Sequence, residues 1–294
     1  LEVLFILKNK IIVFACIIIF LFVLYTIIIS IYKHPTDFLI YYNKSLETLS
    51  FCAVITSVIF VIYQAEIFVK DYKSKREREE FDTSYKMAKY YADNIIPNLA
   101  CIEFIFPYIN KKIDENFYNN ADKFKDFTAI EAKKIFGEDI IERYQKEINN
   151  LPEECILSFE AFSTGKTTLE IKKEWKSYNF TPEDKMTFLK EKRFIIMNKI
   201  TYVINNIEYF AMYFCSGLAI PENVYMSLHQ TYIHCIIGCY LFICNQNRNI
   251  GHEFYTHTIS LYLKWKDEST KRDKKRIQDL EKITQREQPK RRRQ

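Results

Sequence analysis

Three groups of residues in this sequence have types and spacings that could do chemistry. Ser163-Thr-Gly-Lys-Thr-Thr168 has the form of the end of a phosphate-binding loop, where backbone amides cradle a phosphate and a lysine reaches its terminal group. The full pattern needs a glycine five residues before Gly165, and Glu160 stands there, which puts negative charge on the phosphate path. With no strand–helix–strand frame around it, the segment reads as a polar loop. Cys235, Cys239 and Cys244, with His229 and His234 nearby, bring metal-capable atoms to an apolar stretch, and Cys235 and Cys239 would share one helix face. Structural zinc uses tighter paired ligands, and free cysteine packs as a small apolar residue, so these read as core thiols and no metal or cofactor is expected. Arg248-Asn-Ile-Gly-His252 sets a fixed cation close to an imidazole. A helix cap and a surface histidine account for the same residues.

No Ser-His-Asp order, His-Glu-x-x-His run or paired acidic motif accompanies them, and the chain holds 5 histidines in all. The chain therefore reads as a non-enzyme, with Arg248 and His252 its weak catalytic candidates.

The elements that would position these residues are helical. Among 294 residues there are 5 Gly and 7 Pro, too few to punctuate a sandwich or a doubly wound sheet. Aromatic residues reach 16%, yet mean hydropathy is only −0.18, so the apolar content is concentrated rather than spread. It is concentrated near the N-terminus. Ile11–Tyr32 is a run of 22 residues without a charge, and Thr48–Ala65 a second of 18, each long enough to be read as a transmembrane helix. Lys8 and Lys10 precede the first, and Lys70, Lys73, Lys75, Arg76 and Arg78 follow the second. That bias predicts a multi-pass membrane protein with both termini and the main domain cytoplasmic. Leu1–Phe5 match the front of a common protease-tag site and are set aside.

Polar residues in the second span form a stripe. Ser50, Ser57 and Gln64 repeat every seven residues, Thr56 and Tyr63 run alongside, and Glu66 follows at the cytosolic end. Such a stripe either lines a water-filled path in an oligomer or glues a helix–helix seam.

The architecture expected is all-α: two transmembrane helices over 6–69, a stalk helix and its extension past Pro97 over 70–112, a cytosolic helical bundle over 113–263, and a basic tail over 264–294. Thr128-x-x-Glu131, Thr181-Pro182-Glu183-Asp184 and Ile220-Pro221-Glu222 are helix starts, and Gly137, Gly217 and Gly251 are stops. They predict helices near 98–112, 129–149, 182–216, 221–247 and 253–287, with 150–180 undefined. Ile195, Ile196, Ile200, Val203, Ile204, Ile207, Phe210 and Phe214, with Ile233, Ile236, Ile237, Tyr240 and Leu241, form the expected core. Eight cysteines without paired spacing fit reduced thiols. The net charge of +5 belongs to the tail, where 13 Lys/Arg face 6 Asp/Glu. Lys271, Arg272, Lys274, Lys275, Arg276, Lys290, Arg291, Arg292 and Arg293 could meet anionic lipid or RNA, or be a solvated face.

Asn205-Asn-Ile-Glu208-Tyr-Phe-Ala211, followed by Gly217 and by Arg248 in a later turn, resembles a bacterial domain family of unknown function found after N-terminal spans. Asn205 and Glu208 stand one helical turn apart on an apolar helix and read as structural polar groups that fix register. Arg248 and His252 resemble the Arg…His pair of HEPN-type helical ribonucleases, here with a shorter spacing and a glycine between. More distantly, the arrangement resembles membrane effectors of antiphage systems, including transmembrane accessory proteins of type VI CRISPR loci and two-span retron effectors. That resemblance implies a homo-oligomer in the lipid bilayer that permeabilises or depolarises the inner membrane, switched on by a protein or ribonucleoprotein partner. A membrane-tethered scaffold and a HEPN-like ribonuclease are the alternatives.

Overall fold

The computed structural model describes residues 38–249 and 251–291, together with Leu21, Leu24, Tyr25, Ile28, Ile29 and Tyr32; in 38–53 and beyond 282 many side chains are not described. The chain divides into two compact units, Leu1–Glu77 and Arg78–Gln294. All described elements are helical. All-α is therefore the fold class, as the scarcity of Gly and Pro requires.

Helix α1, Phe38–Tyr90, runs 53 residues, through a sequence free of Pro and Gly. In the first unit most of its described apolar side chains are exposed, Val54 by 58%, Phe60 by 54% and Val69 by 64%, while Tyr63 and Ile67, one turn apart, are half-buried. Among the described residues no helix is long and apolar enough to cross a membrane. Apart from six positions, the predicted span Ile11–Tyr32 lies outside the described residues.

In the second unit α1 passes into a π-helical turn, Tyr91–Ile95, and then α2, Ile96–Ala100. Pro97 has no N–H to continue an i→i−4 ladder, and the chain answers by widening: the Ile96 N–H bonds to the Tyr91 carbonyl, five residues back. The helix expected over 98–112 is consequently two, since a turn at Cys101–Phe104 separates α2 from α3, Ile105–Ile113.

A 3₁₀ segment, Phe117–Lys123, leads to α4, Ala129–Phe136, and α5, Ile140–Asn149. One helix was expected over 129–149. Gly137 breaks it at φ 104°, a conformation that a side chain would strain. The undefined stretch 150–180 forms α6, Glu153–Thr164, and α7, Thr168–Ser177. Helix α8, Pro182–Cys215, starts on a capping box between Thr181 and Asp184 with Pro182 in its first turn. It stops at Gly217, whose φ of 74° lets the Leu218 and Ala219 N–H groups return to the Tyr213 carbonyl. Then follow α9, Glu222–Gly238, α10, Tyr240–Gln246, and α11, Thr256–Arg291.

Helix α8 is the spine. Ile196, Ile200, Val203, Ile204, Ile207, Phe210, Ala211 and Phe214 are buried at helical spacing, and α11 packs along it and across α9. Phe210, Phe214, Tyr91, Tyr232 and Trp265 interlock here, with Tyr232 and Trp265 edge-to-face at 4.9 Å. A second aromatic cluster joins the 3₁₀ segment to α10, where Phe124 stacks on Tyr240 at 3.7 Å. One expected core residue is misplaced. Ile195 is 47% exposed, because adjacent helical positions are about 100° apart and Ile196 takes the inward one.

Candidate functional site

The densest polar arrangement joins α8 to the start of α11. Glu208 projects from α8, whose register is set by Ile204, Ile207 and Phe210 facing the core. Its Oε2 accepts from the Thr258 N–H at 2.8 Å and the Thr258 hydroxyl at 2.7 Å, and its Oε1 accepts from the His257 N–H at 3.2 Å. His257 Nδ1 lies 2.8 Å from the same Oε1 and carries the proton, since an ionised carboxylate only accepts. Burial would raise the Glu208 carboxyl, but the bonds from Thr258 and His257 outweigh it and hold it below the ordinary carboxylate range. One turn earlier, Asn205 accepts from the Tyr255 hydroxyl at 3.3 Å. Both residues singled out on α8 thus anchor the first turn of α11, where two otherwise orphaned N–H groups need an acceptor and the helix dipole favours an anion.

Sequence reading did not find His257 and Thr258. They lie about 50 residues downstream, and only an acidic residue on an apolar helix hinted at a distant partner.

Asn247, which is buried, shapes the approach to α11. Its amide donates to the Phe127 and Phe254 carbonyls, and its Oδ1 accepts from the Phe254 N–H at 2.8 Å. Arg248 and His252 sit on the turn outside this clamp, both exposed. The His252 N–H bonds to the Asn249 carbonyl and its ring stands edge-on to Phe254. Among the described residues no hydrogen bond or ion pair joins Arg248 and His252 to each other or to Glu208.

A carboxylate-oriented imidazole such as Glu208–His257 could serve as an acid or base, but chemistry on it would need a nucleophile or a bound group. The adjacent thiol is Cys215, which donates to the His257 carbonyl at 3.4 Å. Burial and then the Glu208 charge push its pKa up, so it stays protonated near neutral pH and is a poor catalytic nucleophile.

The remaining candidates have structural partners. Ser163–Thr168 is the turn between α6 and α7: Gly165 ends α6, and Thr167 caps α7 in a reciprocal box with Glu170. The amides of Thr167 and Glu170 are thereby served from within, Lys166 pairs with Glu174, and Glu160 accepts from the Trp175 indole at 2.9 Å and pairs with Lys192. Cys235 and Cys239 are buried with their sulfurs 4.0 Å apart, and no group of His, Cys, Asp or Glu among the described residues could hold a metal ion. In the tail, Lys271 pairs with Asp267 and Arg272 with Glu268, and Arg272 lies over the Tyr225 ring. Lys274, Lys275 and Arg276 are exposed, the side chains of Lys290 and Arg291 are not described, and Arg292 and Arg293 lie outside the described residues. On α1, Ser50, Thr56, Ser57, Gln64 and Glu66 are exposed and Tyr63 half-buried, with Thr56 and Ser57 engaged in interactions of their own.

Fold and clamp together define an all-α protein whose polar centre fixes the start of one helix on another. Comparison with protein-family models, curated proteins and solved structures returns no match to this chain.

Proposed function

We propose that this protein is a membrane-anchored effector of bacterial antiphage defence, whose helical unit associates into a homo-oligomer and whose spans then permeabilise or depolarise the inner membrane. The observation that carries the reading is the outward-facing apolar run of α1 from Val54 to Val69. The exposed apolar side chains on this helix must be covered by lipid or by other chains, and Ile11–Tyr32 supplies a second uncharged length. In the oligomer, the Ser50, Ser57 and Gln64 stripe faces the path, with Glu66 at its cytosolic mouth. The defence role rests on the resemblance of the spans and the Asn205–Gly217 pattern, and activation falls to a protein or ribonucleoprotein partner.

A membrane-tethered scaffold is the second reading. It is favoured by Lys274, Lys275 and Arg276, exposed together on α11 as a surface for an anionic ligand. Dye uptake and membrane potential in expressing cells separate the two. A pore loses its effect in Ser57→Leu and Gln64→Leu while membrane localisation persists. A tether shows no permeability change in either variant or in the parent.

A further inference from the structure

The side of α8 that faces away from the core carries its own pattern. Ile195, Asn198, Tyr202, Asn205, Tyr209 and Met212 follow one another at steps of three and four. Ile195 is 47% exposed, Tyr202 49%, Tyr209 42% and Met212 37%, and both asparagines are exposed. At about 100° per residue the six lie on one stripe opposite Ile200, Ile204 and Phe214, spanning about 26 Å at 1.5 Å per residue. Steps of three and four are the spacing of a two-helix seam, in which apolar knobs alternate with a polar residue that fixes register. Along one flank of the stripe, Lys199 is bonded to Asn98, Asn206 accepts from the Tyr90 hydroxyl, and the Tyr90 ring stands edge-on to Tyr209 at 5.4 Å, so the helix is held from that side.

The order of the six residues names the occupant. Turned about a two-fold axis between Val203 and Ile204, the stripe meets itself with Ile195 against the partner's Met212, Asn198 against the partner's Tyr209, and Tyr202 against the partner's Asn205. Apolar groups meet apolar groups at the ends, and each phenol meets an amide: Asn205, whose oxygen already accepts from Tyr255, has its NH₂ to donate to the partner's Tyr202, and the Tyr209 hydroxyl, bonded to Tyr213, keeps a lone pair for the amide of the partner's Asn198. A parallel pairing sets tyrosine on tyrosine and amide on amide, without that match. The geometry points to an antiparallel, two-fold symmetric homodimer formed by the outer face of α8, an isologous interface in which one patch serves both copies. This deepens the oligomer of the proposed function by naming its contact, yet it needs only the helical unit.

The test uses two differently tagged full-length chains, co-expressed in a Cys215→Ser background and extracted in mild detergent. One carries Ile195→Cys and the other Met212→Cys, and a short thiol cross-linker is added. The expected product joins the two tags, while Ile195→Cys does not join to itself and the background without new cysteines gives nothing. No joint product, or self-linking of Ile195→Cys at equal yield, overturns the antiparallel seam. In the otherwise native chain, Tyr202→Glu weakens association about tenfold or more by light scattering, with the helical circular dichroism unchanged. The exposed control Ile130→Glu keeps the parental mass, and an equal loss there overturns the assignment. Cross-linking without any membrane leakage would sink the effector reading and leave the dimer standing. Leakage without the cross-link does the reverse.

Discussion

The Glu208 carboxylate holds the buried residue Thr258 by two bonds to one oxygen, from the main-chain N–H at 2.8 Å and the hydroxyl at 2.7 Å. Side chain and backbone of one residue are thus read together, which fixes where α11 begins as well as the direction in which it leaves α8. Tyr232 from α9 completes the junction by donating to the Thr258 carbonyl at 3.0 Å. Three helices meet at one residue.

Glu208→Gln should therefore destabilise the protein by about 1–3 kcal/mol, because a charged acceptor serving buried donors is replaced by a neutral one. The effect depends on pH in a defined direction. The folded-state pKa of Glu208 lies below the unfolded value, so its stabilisation is complete above the ordinary carboxylate range and is lost as pH falls through the folded value. Urea unfolding of parent and variant should diverge near neutrality and converge in acid. A constant gap across that range would show that the carboxylate charge is irrelevant.

A second carboxylate performs a similar task through a wider network. Glu131 accepts from three consecutive N–H groups, those of Lys125, Asp126 and Phe127, and from the Tyr240 hydroxyl at 3.0 Å. Phe127 is held at φ 52°, a left-handed conformation costly for an aromatic residue. Glu131→Ala should cost about 2–4 kcal/mol, and Tyr240→Phe about 1 kcal/mol. The double variant should lose less than the sum, since the Tyr240 bond is already gone once Glu131 is removed. Strict additivity in thermal unfolding would mean that the two do not communicate.

Helix starts were legible wherever the cap is local. Thr128 and Thr181 each lie within a few residues of what they cap, so a short stretch of sequence contains the whole interaction, and Pro221 marks the start of α9 without a side-chain cap. Thr167 and Glu170 form an equally good local box, overlapping a Gly-Lys-Thr run whose residue types equally suit a phosphate loop. The break between α9 and α10 at Cys239 has no proline or glycine at the break itself to mark it beyond Gly238, whose carbonyl accepts from the Asn110 amide at 3.0 Å. That partner is 128 residues away. Polar pairs of such separation, Glu208 with Thr258 among them, are properties of the packed helices and leave only a buried polar residue as their trace. Ile195 shows the opposite failure: hydrophobicity was legible, but its face was not.

Arg248→Ala and His252→Ala should each leave stability within about 0.5 kcal/mol of the parent, because both side chains are exposed on the turn outside the Asn247 clamp. Asn247→Ala, which removes donors from the Phe127 and Phe254 carbonyls, should by contrast cost about 1–3 kcal/mol. The same two exposed variants test the nuclease reading. RNA cleavage by the purified parent that disappears in either variant would establish a HEPN-like activity; equal background in all three removes it.

The thiols offer a reading of packing that needs no unfolding. Burial pushes the Cys239 and Cys244 thiols well up, and Cys239 is further raised by its neighbour Cys235. Burial and then the Glu154 charge move Cys155 up to about 11. It is the thiolate that attacks a thiol reagent, so in the native protein these three should resist labelling near neutral pH, as should Cys235 by being buried, while the exposed Cys215 reacts first despite its own raised value. Mass spectrometry after timed exposure to a maleimide gives the order site by site. The protected set should open together as urea rises, because Cys235, Cys239 and Cys244 line the same interior between α9 and α10. Early labelling of Cys239 in native buffer would show that this junction is open in solution, and with it the aromatic cluster around Tyr240.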